Sequence, residues 1–146
     1  MSPASPQRPR ILVIEDEAGI RKFIQRVLEP DYEVLLSEDG AEGLKQARWG
    51  KPHLILLDIH MPGFDGLTVL AKLKAHEETR MIPVVIVSVQ GDTDVLLECQ
   101  RGGAVDQIIK PFNVEDLRTV IERQLWMRPD APEKGAGPGP KEPTSP

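Results

Sequence analysis

Residues 54–66 read LILLDIHMPGFDG. Leu54, Ile55, Leu56 and Leu57 run directly into Asp58, and a proline, two glycines and a second acid follow. A short continuous apolar run bounded by turn residues is the pattern of a strand buried on both faces. Such a strand delivers Asp58 to the rim of a sheet. A carboxylate carried there needs a partner, because a lone charge beside a core is costly.

Working outward, similar runs recur. RILVI at 10–14 ends at Glu15-Asp16, YEVLLS covers 32–37, the run before Asp58 covers 53–57, VVIVSV covers 84–89, and a last strand is expected over 105–109. Between them, apolar residues fall at helical spacing. Ile20, Phe23, Ile24, Val27 and Leu28 mark a helix over 17–29, stopped by Pro30. Asp39 is a cap for a helix over 40–49 with Gly50 after it. Further helices are expected over 65–75, 93–101 and 113–127. Five strand–helix repeats with apolar strands predict an α/β fold. The expected architecture is a (βα)5 doubly wound, five-stranded parallel sheet in order 2-1-3-4-5, flavodoxin-like.

Composition narrows the function classes. The chain has 146 residues, 40% of them hydrophobic, and a formal net charge of −5. The basic residues are scattered, so no direct contact of this domain with nucleic acid is expected. No run approaches the ~18 apolar residues of a membrane span, and MSPASPQRPR lacks the apolar core of a secretory signal. The lone cysteine, Cys99, excludes an internal disulfide and reads as packed in a helix. A cytoplasmic location is expected. Residues 1–9 and 128–146 are rich in Pro, Gly and charge, and read as a disordered N-terminal tail and a disordered tail or linker around a body at 10–127. Trp49 and Trp126 sit at helix ends and are expected to cover core edges. His53, His60 and His76 do not have the spacing of a zinc site.

In an open parallel sheet, chemistry gathers beyond the carboxyl ends of the strands, at the switch in strand order. Strand one brings Glu15 and Asp16 there, strand three Asp58, strand four Ser88 and strand five Lys110. Crowded carboxylates repel, at roughly 4 kcal/mol for two charges ~4 Å apart at an effective dielectric near 20. A hard divalent ion relieves that cost, and oxygen ligands with partial hydration suit Mg²⁺. A cation and an ammonium around Asp58 then make a place for a phosphoryl group on its carboxylate, with Ser88 able to hydrogen-bond one oxygen.

Four motifs agree in order and spacing with one family: ILVIEDE (11–17), LILLDIHMPGFDG (54–66), VVIVS (84–88) and IIKPF (108–112). Over residues 10–127 the chain resembles the receiver domain of two-component response regulators. The resemblance implies that Asp58 is the phosphoacceptor. Glu15, Asp16, Asp58 and the backbone carbonyl of His60 would hold Mg²⁺. Ser88 would be the switch hydroxyl, Lys110 would pair with the phosphoryl group, and the Lys110–Pro111 bond would be cis. It further implies a sensor histidine kinase or phosphotransfer protein as donor. Output would pass through the face of helix four, strand five and helix five, to an effector or a homodimer. The domain would be a signalling module that catalyses only its own modification and hydrolysis.

Several positions depart from the family pattern. The strand-five position usually aromatic is Gln107, and the usually small residue after the switch hydroxyl is Val89. His60 and Gln90 occupy the two positions that tune phosphoryl lifetime. Asp106 matches the acid of one family dimer, but Leu96 and Val120 stand where basic residues would pair with it, so Leu96 is expected as an exposed apolar contact instead. Two further readings follow. Gln107 and Val89 suit a binding module with weakened phosphorylation coupling. An aspartyl-phosphate phosphohydrolase would need a second acid two residues after Asp58, where His60 stands.

Overall fold

A computed structural model of the chain describes residues 8–61 and 65–126. The expectations for residues 1–7, for the 62–64 segment of the Asp58 loop, and for residues 127–146 lie outside the described residues.

Strand and helix alternate throughout: β1 (Arg10–Ile14), α1 (Ala18–Leu28), β2 (Glu33–Ser37), α2 (Gly40–Gly50), β3 (Leu54–Asp58), α3 (Gly66–Ala75), β4 (Val84–Val89), α4 (Thr93–Arg101), β5 (Asp106–Lys110) and α5 (Val114–Trp126). The five strands form one sheet in order β2-β1-β3-β4-β5, and every pairing is parallel. This is the doubly wound, flavodoxin-like fold expected from the strand pattern.

Alternation along the strands divides the core in two, because successive side chains point to opposite faces. Ile11, Val13, Leu54, Leu56, Val85 and Val87 pack against Ile24, Leu28, Leu117 and Ile121 from α1 and α5. Leu12, Ile14, Ile55, Leu57, Val84 and Ile86 pack against Ala47, Leu70, Leu73 and Cys99 from α2, α3 and α4. Each fully buried Leu or Ile contributes roughly 1.5–3 kcal/mol. The first layer is closed at its edge by Trp126, whose indole N–H donates to the Tyr32 hydroxyl at 3.2 Å.

Some local expectations are corrected. Strands β3 and β5 each begin and end one residue later than expected, so Asp58 and Lys110 are the last residues of their strands. Gly50 lies inside α2, and Lys51 takes the left-handed C-cap with φ 49°. Gly50 packs closely on Leu35, whose Cδ1 would stand 2.6 Å from a Cβ there. Trp49 covers no core edge; it is 77% exposed, and the Arg48 guanidinium lies 5.8 Å from its ring centroid. Phe23 is partly exposed and its ring lies 6.1 Å from that of Phe112. Leu96 is half-buried against the core, and its neighbour Leu97 is the exposed apolar residue of α4.

Candidate phosphoryl and metal site

The carboxyl edge of the central strands carries the site. Asp58 ends β3, the middle strand, and its side chain is almost fully buried. Both its oxygens are engaged. Oδ1 accepts from the His60 amide at 2.9 Å, and Oδ2 accepts from Lys110 Nζ at 3.2 Å. Lys110 reaches Asp58 because β4 lies between β3 and β5, and a four-carbon stem crosses that strand. The Lys110–Pro111 peptide is cis.

Glu15 follows β1 and is buried too. Its Oε2 accepts from the Glu17 amide at 3.2 Å, while Oε1 lies 3.5 Å from Lys110 Nζ and has no hydrogen-bond partner. Burial first, and then the charge of Asp58, push the Glu15 carboxyl up to about 7. Burial opposes the Lys110 ammonium, but Asp58 and Glu15 outweigh it and leave its pKa raised. Asp16 is exposed beside them. Glu15, Asp16 and Asp58 each offer a carboxylate oxygen, all within 4.8 Å of one another.

This donor set fits a hard cation. It is all oxygen, one of its atoms is buried without a hydrogen bond, and a single ammonium faces two buried acids. Three carboxylates against one ammonium leave a net charge of −2, which one divalent cation balances.

Ser88 is fully buried near the end of β4, and its Oγ has no hydrogen-bond partner. Strand register pairs Val87 with Asp58, Ser88 with Ile109, and Val89 with Lys110, so Ser88 sits between the strands that carry the acid and the amine. Val89 and Gln90 are exposed beyond it. Gln107 is exposed on β5 and lines, with Leu96 and Cys99, a cavity of about 230 Å³ between α4 and β5. The site therefore gathers Glu15, Asp16, Asp58, Lys110 and the His60 backbone; Gln107 lies apart from it. Asp106 is engaged within the chain, accepting from Arg123 Nη2 at 2.7 Å and from Gln124 Nε2 at 3.0 Å.

Sequence reasoning missed two contributors. Arg21 Nη1 donates to the Glu15 carbonyl at 2.7 Å, and Asp92 accepts from His60 Nε2 at 2.8 Å. Asp92 before α4 reads in the sequence as a helix cap, which carries no signal of a bond to His60. Among the described residues, no helix is long and apolar enough to cross a membrane.

Comparison with known proteins agrees with this fold. A family model described as the response regulator receiver domain matches residues 11–122. Sporulation initiation phosphotransferase F of Bacillus subtilis is 30% identical over 120 residues, spanning 82% of this chain and 95% of that protein. Sensor histidine kinase TmoS of Ectopseudomonas mendocina is 30% identical over 121 residues, which cover 83% of this chain but only 12% of that protein. Among solved structures, chemotaxis protein CheY4 of Vibrio cholerae superposes with a TM-score of 0.77 at 25% identity, covering 81% of this chain and 99% of that one.

Proposed function

The chain belongs to the response regulator receiver domain family, and from that premise we propose that it is a phosphorylation-controlled switch whose acceptor is Asp58. The observation that carries this reading is the Lys110 ammonium 3.2 Å from Asp58 Oδ2, with the Glu15 and Asp16 carboxylates grouped on the same aspartate. A phosphohistidine on a sensor kinase or phosphotransfer protein is the donor. An Asp58 oxygen forms the new P–O bond as the P–N bond breaks, and the imidazole leaves and takes a proton from solvent. Lys110 balances charge on the transferring oxygens. The unpartnered Ser88 hydroxyl is free to donate to one of them.

Glu15, Asp16, Asp58 and the His60 carbonyl are the residues that would hold Mg²⁺. When bound, the ion supplies charge neutralisation for the carboxylates and the phosphoryl oxygens. The working unit is residues 10–127, with 1–9 and 128–146 as flanking tails or linker. It is a cytoplasmic signalling module, and its only chemistry is its own modification and slow hydrolysis. The output face is α4, β5 and α5. Since Asp106 is held by Arg123 and Gln124, that acid is already satisfied within one copy.

Incubation with acetyl phosphate and Mg²⁺ followed by intact mass tests the proposal. One added phosphoryl group on the wild type and none on Asp58→Asn is the expected result. Equal labelling of both, or of neither, overturns it. The exposure of Gln107 supports a second reading, a receiver whose modification is weakly coupled to output. In that case a beryllofluoride phosphoryl mimic leaves partner binding unchanged.

A further inference from the structure

Asp92 occupies the N-cap of α4, where an aspartate ordinarily accepts from the first free amides of its own helix. Its side chain makes no such bond. Oδ2 turns back instead, accepting from the Val89 amide at 3.1 Å and from His60 Nε2 at 2.8 Å. A carboxylate only accepts, so the hydrogen in the second bond is on Nε2. The His60 bond holds the Asp92 carboxyl below its ordinary value. The loop is closed a second time by Asp92 N–H to the Val89 carbonyl at 3.3 Å, around Gly91 at φ +98°.

One unbroken path results. Asp58 Oδ1 accepts from the His60 amide, the His60 ring donates to Asp92, and Asp92 accepts from Val89, which directly follows Ser88. Asp92 thus forgoes one set of partners, the first amides of α4, for another that spans two loops. Those loops follow the adjacent strands β3 and β4.

Resting on the reading of Asp58 as phosphoacceptor, we infer that Asp92 is a positioning residue that, with the His60 side chain, clasps the β3–α3 loop to the β4–α4 loop at the Asp58 site and holds the Ser88 end of β4 in the unmodified protein. The carboxylate has two alternative homes, the clasp, which Oδ2 fills, and the cap of α4, which neither oxygen reaches in this structure. Inward movement of Ser88 toward a phosphoryl group pulls on Val89 and therefore on the clasp. Releasing it returns Asp92 to α4, so the device links the acceptor to the start of a helix on the output face.

The test uses the full chain with His60→Ala, Asp92→Ala, the double variant and Asp92→Asn. Amide exchange is read first, in the unmodified protein. His60→Ala should speed exchange at Val89 by roughly two- to tenfold, the size expected for one exposed hydrogen bond, although His60 does not touch that amide. Initial labelling by acetyl phosphate should rise by a similar factor in His60→Ala and Asp92→Ala. The double variant should match the singles, and Asp92→Asn, which keeps an acceptor oxygen, should stay near wild type. Unchanged Val89 exchange in His60→Ala, or rate effects that multiply in the double variant, overturns the clasp. The exchange arm needs no phosphoryl donor. Faster exchange in a protein whose Asp58 never takes label therefore upholds the clasp and overturns the proposed function instead.

Discussion

Lys110 Nζ stands 3.2 Å from Asp58 Oδ2, although 52 residues separate the two in sequence. The same ammonium is 3.5 Å from Glu15 Oε1, so one positive charge serves two buried acids. Lys110→Met keeps most of the stem and deletes the charge. Initial labelling of Asp58 by acetyl phosphate should fall by about 10²-fold or more, as on loss of a transition-state donor. An intact-mass time course reads it; a rate equal to wild type would remove the ammonium from the chemistry.

The Glu15 contribution to the stability of the metal-free protein should decline as pH rises from 4.5 to about 7. The Glu15 carboxyl is raised from 4.5 to about 7, by burial first and by Asp58 second. Within that window the native state keeps a proton that the unfolded chain has lost, so unfolding free energy falls with pH. The stabilisation is fully present below the unfolded value and gone above the folded one, and amounts to at most about 3 kcal/mol. Urea denaturation in a chelator, compared between wild type and Glu15→Gln, reads the slope. Parallel slopes in the two proteins would exclude Glu15 as the source.

Magnesium should reverse that decline, because binding requires the ionised carboxylates. At about 100 times its dissociation constant the ion adds about 2.7 kcal/mol of stability. Thermal melts with and without Mg²⁺ should differ for wild type and coincide for Asp16→Ala. A full shift in Asp16→Ala would place the ion elsewhere.

Gly66 opens α3 immediately against the Asp58 loop, and a Cβ there would stand 2.4 Å from Ile59 Cα. Backbone cannot yield as a side chain tip does. Gly66→Ala should therefore cost about 1–3 kcal/mol, read by denaturation, and should also slow Asp58 labelling as Ile59 is displaced. A stable variant with unaltered labelling would mean that α3 shifts freely.

The strand–helix alternation and the rim assembly were legible in the sequence because periodicity marks the elements and parallel strands share one carboxyl edge, whereas the order 2-1-3-4-5 was one that a doubly wound sheet allows. Once β1, β3 and β5 were placed in a parallel sheet, Glu15, Asp58 and Lys110 had to meet at one edge. What escaped was set by shape at single positions. Gly50 looked like a helix stop, yet it is the last residue of α2, packed against Leu35, and Lys51 takes the left-handed cap. Trp49 looked like the cover of a core edge, but it faces solvent from α2. The His60–Asp92 bond joins residues 32 apart in two loops, and no repeat in the pattern links loop residues to one another.

The contrast between the two tryptophans gives the chain a pair of optical reporters. Trp126, 6% exposed and bonded to Tyr32, should emit in the blue and resist iodide quenching, whereas Trp49 should emit in the red and quench readily. Trp49→Phe then leaves a single tryptophan, excited selectively over Tyr32 at the red edge, that senses whether the end of α5 stays docked beside β2, without any attached dye.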